Sequence, residues 1–132
     1  MKGLSGNVVK ALTIGSRLIC HDNSGAKELE MIGAVGTKGV RGRYVKAGIG
    51  QIITAAVKKG KPDMVKKVVK ALIVRQKKEY RRANGTRLFF EDNAAVLVND
   101  DFLPVGTEIK GVVAREIAER FPKVAAISAG VV

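Results

Sequence analysis

Short apolar runs broken by glycine-centred turns fill the first two-thirds of the chain. Residues 8–14, 17–21, 29–35, 49–58 and 68–77 read as strands. Gly15-Ser16 separates the first two, and Asp22-Asn23-Ser24-Gly25 follows the second, each a cluster of turn-forming residues. The run V-V-K-A-L-I-V-R is almost continuously aliphatic, as expected of a strand packed on both faces. Asn84-Gly85 lies between two strand-like segments and predicts a hairpin with a two-residue turn. That turn sets Tyr80 opposite Phe89, Lys78 opposite Glu91, Lys77 opposite Asp92, and Arg82 opposite Arg87. A-A-V-L-V-N is a further strand. From residue 112 the period changes, with Val113, Ile117 and Phe121 four apart on one stripe, predicting a short amphipathic helix that Pro122 ends. The tail K-V-A-A-I-S-A-G-V-V is mild and apolar enough to pack on the domain or on a neighbour. The fold class is therefore dominated by β structure, in a barrel or meander, with a hairpin and a C-terminal helix.

At 132 residues the chain is expected to form one domain. Aromatic residues are only 5%, with no Trp, so Val, Ile, Ala and Leu must supply the core. Tyr44, Tyr80, Phe89, Phe90, Phe102 and Phe121 are the whole aromatic inventory, and few of them can be spared from it.

Charge narrows the function. The net charge is +12, and residues 38–87 hold 16 basic and 2 acidic residues against 8 basic and 10 acidic elsewhere. An uncompensated field of that density predicts a polyanionic partner. Two loops carry much of it: G-T-K-G-V-R-G-R-Y with Lys38, Arg41 and Arg43, and K-K-G-K-P-D-M-V-K-K with Lys58, Lys59, Lys61, Lys66 and Lys67. Glycine lets backbone N–H groups approach a phosphate, and the cations neutralise it. Arg75, Lys77, Lys78, Arg81 and Arg82 make the hairpin a basic finger. Opposed arginines at its tip imply that the free protein would be no less stable without one of them, so an anion is expected there. Arg115, Glu116, Glu119 and Arg120 on the helix are candidates for protein or intersubunit contacts.

Other chemistry finds little support. His21, Asp22 and Ser24 are too close in one turn to form a nucleophilic relay, and Asp22 and Asn23 are expected to bond locally. Cys20 has no second Cys to join it, so neither a disulfide nor a metal site is expected, only a buried and inert thiol. No phosphate-binding or dinucleotide glycine motif occurs, and Gly36–Gly39 matches a G-x-x-G loop in the wrong, strand-flanked setting. No membrane-spanning run or small-molecule site is predicted, no cofactor is implied, and the chain reads as a cytoplasmic protein that is not an enzyme.

D-N-S-G-A-K (22–27), K-K-G-K-P (58–62), V-R-Q-K-K-x-Y-R-R-x-x-G (74–85), F-E-D-N-A (90–94) and G-V-V-A-R-E (111–116) are five ordered blocks. Together they resemble the universal ribosomal protein family numbered fourteen of the large subunit, in its archaeal and eukaryotic branch. The resemblance implies a five-stranded β-barrel, a projecting β-ribbon over about residues 71–98, and one or two short helices within residues 104–132. It also implies binding to large-subunit rRNA and contact with neighbouring large-subunit proteins. A bridge to small-subunit rRNA and a docking surface for a subunit anti-association factor are implied as well. A competing expectation, a free-standing OB-like protein for single-stranded nucleic acid, would need exposed aromatic platforms as well as charge.

Overall fold

The structure, a computed structural model, describes residues 8–36 and 44–132. Thirteen elements follow in order. They are β1 (Leu12–Thr13), β2 (Arg17–Cys20), β3 (Ala26–Ala34), β4 (Lys46–Ala47), β5 (Ile52–Gly60), β6 (Val68–Arg75), β7 (Tyr80–Arg81), β8 (Arg87–Leu88), β9 (Ala94–Val98), β10 (Ile109–Val113), α1 (Arg115–Arg120), α2 (Pro122–Ala126) and β11 (Ser128–Val131). Strands β2, β3, β5, β6 and β9 close into a barrel in that order. All its ladders are antiparallel except β2 with β9, which is parallel and joins Ile19 to Ala94 and Cys20 to Ala95. Closure removes the unpaired edges that an open five-stranded sheet would leave.

Alternation sorts the side chains. On β3, Leu29 and Met31 are buried while Glu28 and Glu30, alternating with them, point outward. The continuous run behaves as predicted over residues 71–75 of β6, all buried, whereas Val68 at the start of that strand is exposed. The second wall over β6 comes from the C-terminal region: Ala114 N–H bonds to the Val74 carbonyl (3.3 Å), and Val113, Ile117, Phe121 and Val124 are fully buried. Gln76, also buried, donates to the carbonyls of Val9 and Lys78 and accepts from Ile49 N–H, which satisfies its amide inside the core.

Several expectations need correction. Only Leu12–Thr13 of the segment 8–14 is a strand, paired with β4 outside the barrel. Val113 belongs to β10 and Phe121 to the junction between α1 and α2, so of the apolar stripe only Ile117 is helical. Pro122 not only ends α1 but starts α2, since a first-turn position has no N–H to lose. The tail packs on the domain itself, as β11 parallel to β10.

The hairpin register also differs. Tyr80 pairs with Leu88 and Arg81 with Arg87, one residue off the expected alignment. Arg82 N–H bonds to the Thr86 carbonyl (2.8 Å) and Gly85 N–H to the Arg82 carbonyl (2.9 Å), so the loop is three residues long, with Gly85 at φ +88°. Asn-Gly suits this turn equally well because its last position is left-handed. The slip breaks the expected Tyr80–Phe89 pair: Tyr80 is 2% exposed and Phe89 67%. The expected charge pairs are replaced by Glu79–Arg87 (3.1 Å) and Asp92–Arg75 (3.2 Å).

Candidate nucleic-acid interface

The loop between β5 and β6 carries the second basic cluster. A helical turn, with Met64 and Val65 N–H groups on the Lys61 carbonyl, is closed by reciprocal bonds of Lys66 N–H to Val57 and Val57 N–H to Lys67 (each 2.9 Å). Lys61, Lys66 and Lys67 are all exposed, and their side chains meet no acidic partner among the described residues. Lys58 and Lys59 differ. They reach Glu30 (3.2 Å) and Glu28 (3.4 Å), carboxylates that Arg17 shares at 3.4 and 3.0 Å, so their charge is already partly answered on the barrel wall.

Lys66 stands at φ +69°, a left-handed conformation that suits glycine. Phe102 (φ +61°) shares the anomaly, but its ring packs against the core. The Lys66 side chain gains nothing comparable. Lys66→Gly is therefore expected to raise stability by up to about 1 kcal/mol, the relieved strain exceeding the added unfolded-chain entropy. Denaturant unfolding checks this; a clear loss of stability would give the side chain a role in the fold.

The structure adds two lysines that sequence reasoning missed. Strand β10 crosses the end of β2 through an Asp22–Ile109 bridge and a bond from Lys110 N–H to the His21 carbonyl (2.6 Å). On the other side, Lys61 N–H bonds to the Gly25 carbonyl (2.9 Å). Exposed Lys27, Lys61 and Lys110 thereby converge on one groove of about 500 Å³ that also takes in Ile19, His21 and Asn23. Its one acid, Asp22, is buried and engaged: it accepts from Leu97 N–H (2.9 Å), Ser24 N–H (3.2 Å), the Ser24 hydroxyl and the Cys20 thiol (3.1 Å). Burial, reinforced by the Asp22 carboxylate, pushes that thiol up to about 12, so it stays protonated at neutral pH. Lys27 lies inside the D-N-S-G-A-K block, but Lys110 carries no local signal.

Arg75 is not on this surface. It is 7% exposed, with Nε 3.2 Å from Asp92 and Nη2 2.6 Å from His21 Nδ1. A guanidinium is always a donor, so His21 Nδ1 accepts from Arg75, the Lys110 carbonyl also lies 3.2 Å from that nitrogen, and Nε2 faces Asp92 at 3.6 Å. His21 is thus committed to Arg75 and Asp92, and Ser24 to Asp22, which leaves no Ser–His contact for hydrolysis.

The finger residues divide. Lys77, Lys78 and Arg81 are exposed. Arg82 instead turns back onto α1, with Nε 2.9 Å from Glu116 Oε1 and Nη2 2.7 Å from the Val132 carbonyl, while the Tyr80 hydroxyl donates to Glu116 Oε2 (3.0 Å). Both charged side chains are about 15% exposed (15% and 16%), so Arg82 is a fold contact and not a free tip cation. Burial pushes the Glu116 carboxyl up, but bonds from Arg82, its own backbone and Tyr80 together bring it below the ordinary carboxylate value. Burial and the Glu116 charge push Tyr80 up to about 12.

This clasp makes one cleft of about 630 Å³ from two groups expected to act separately: Arg81 and Asn84 of the ribbon, and Arg115, Glu116 and Glu119 of α1. Arg120 lies over the Phe121 ring at 5.5 Å. Lys38, Arg41 and Arg43 lie outside the described residues. Among the described residues no group of His, Cys, Asp and Glu side chains could hold a metal, and no helix is long and apolar enough to cross a membrane.

Comparison with known proteins extends over nearly the whole chain. A protein named large ribosomal subunit protein uL14 in Methanocorpusculum labreanum is 51% identical over 97% of both chains. Proteins of the same name in Methanococcus vannielii and Methanococcus maripaludis are 52% identical over 97% of both. Residues 11–132 match the family described as ribosomal protein L14p/L23e, and the chain belongs to that family.

Proposed function

We propose that this chain is a structural constituent of the large ribosomal subunit, a cytoplasmic particle, and that it holds large-subunit rRNA by its phosphates. The family is structural and non-enzymatic. The observation that carries the reading is the groove where Lys27, Lys61 and Lys110 meet without an available counter-ion. Three cations held by a rigid barrel end suit a sugar-phosphate backbone, because their positions are set before binding. Lys66 and Lys67 extend that surface along the β5–β6 loop. Exposed Lys77, Lys78 and Arg81 offer further phosphate contacts on the ribbon, while Lys58 and Lys59 contribute less because glutamates already answer them. The cleft between ribbon and α1, with exposed Arg115 and Glu119, is the surface for neighbouring large-subunit proteins, an intersubunit bridge to small-subunit rRNA, and an anti-association factor.

Salt dependence tests the groove. Each neutralised phosphate steepens the log-log dependence of affinity on salt by about 0.7 to 0.9. Replacing Lys27, Lys61 and Lys110 together by glutamine is expected to flatten the slope for large-subunit rRNA by roughly 2. An unchanged slope would remove the groove from the interface. Tight binding of the wild-type chain to unstructured poly-U at moderate salt would favour the single-strand binder, a reading to which exposed Tyr44 and Phe89 lend some substance.

A further inference from the structure

We infer that Phe89 is a base-stacking residue, a platform for an unpaired rRNA base, with Arg81 and Arg87 beside it as the phosphate contacts of the same nucleotide. The inference rests on the rRNA-binding reading and deepens it. Lone exposed apolar side chains are common and need no explanation, but this one has a particular setting. Leu88 packs against the core, while Arg87 before it and Phe89 after it are both exposed. Phe89 lies just beyond β8, between Leu88 and Phe90, which both pack against the core, so its ring is turned to the outward side of the ribbon, as Arg87 is. Arg81 is the direct cross-strand partner of Arg87, so two like charges face each other on that side. Such a pair destabilises a free ribbon and is relieved by an anion.

One acid is present. Glu79 holds Arg87 at 3.1 Å, with both side chains largely open to solvent, so the pair is weak and exchangeable. Arg81 has no acidic partner among the described residues. A flat ring beside an unanswered cation matches a nucleotide, which joins a π face to a phosphate a few ångströms away. An apolar protein surface would satisfy the ring and leave the arginines worse solvated.

The chain contains no Trp, so Phe89→Trp installs a single fluorophore at the proposed contact. With deproteinised large-subunit rRNA, its emission is expected to be quenched on binding with affinity retained. Phe89→Leu should weaken binding about 5- to 100-fold, as loss of one stacked base does, and leave the salt slope unchanged because no charge is lost. Arg81→Ala should also weaken binding but, unlike Phe89→Leu, flatten the slope by about 0.7 to 0.9. Leucine at a 67% exposed site does not threaten the fold. Affinity insensitive to Phe89→Leu, or a blue-shifted and unquenched signal from the Phe89→Trp variant in assembled large subunits, overturns the stacking role and in the latter case assigns the ring to a protein neighbour. Failure of the wild-type chain to bind rRNA at all would overturn the functional reading itself, and this inference with it.

Discussion

Arg82→Ala is expected to destabilise the folded protein by about 3 kcal/mol, because removing one partner of a largely buried ion pair strands the other. Glu116 would keep only the Tyr80 hydroxyl and its own backbone N–H, and the Val132 carbonyl would lose its guanidinium donor. Lysine at the same position should recover only part of the loss, since one ammonium cannot reach Glu116 and the carbonyl in the same forked geometry. The adjacent Arg81→Glu should behave oppositely. Its side chain is exposed and faces Arg87, so stability should stay within about 0.5 kcal/mol of wild type or rise. Urea unfolding of both variants measures the contrast; equal losses would mean that the clasp does not distinguish the two arginines.

The clasp also has a pH signature. Glu116 titrates below its unfolded value of 4.5, so its stabilisation is present above that pH and is lost as pH falls through the lowered folded value. Tyr80 titrates at about 12 rather than 10, so stability falls as pH rises between these values. Arg82→Ala should remove much of the acid-side dependence.

The strands were readable as apolar runs bounded by turn-forming residues, but their closure was not: the runs alone fit a barrel or a meander, the run at 8–14 lies outside the barrel, and five-stranded closure was implied only by the family resemblance. The ribbon register was not readable either. Asn84-Gly85 fits a two-residue and a three-residue loop equally well, and only the burial of Tyr80 against Glu116 selects the second. That single slip changes the meaning of three residues, turning Phe89 outward, setting Arg81 opposite Arg87, and freeing Arg82 to reach α1. Charge counting found the basic loop at residues 58–67 but assigned Arg75 to the surface, since composition cannot show that Asp92 and His21 bury it. Lys110 lies in a stretch of low net charge, and it joins Lys27 and Lys61 only through long-range pairing of Asp22 with Ile109.

The groove itself depends on a backbone contact, and Gly60→Ala should damage it most. At Gly60 φ is +154°, and a Cβ there would sit 2.5 Å from the Gly25 carbonyl oxygen and 2.9 Å from the Ala26 Cα. Both are backbone atoms of the neighbouring barrel strand and its turn, so neither can swing aside as a side-chain end would. Strain and overpacking together predict a loss of about 3 kcal/mol. Gly85 offers the control: its φ of +88° is also left-handed, but a Cβ would meet open space, so Gly85→Ala should lose only about 1 kcal/mol. Gly60 adjoins Lys61, whose N–H holds the Gly25 carbonyl two residues before Lys27. Relief of the clash must separate these segments, so any folded Gly60→Ala protein should bind rRNA more weakly with every lysine still present. Thermal unfolding and rRNA titration of the two variants decide the matter. Equal stability would show that the Gly25–Gly60 approach can relax, and undiminished affinity would show that the groove does not need the spacing it sets.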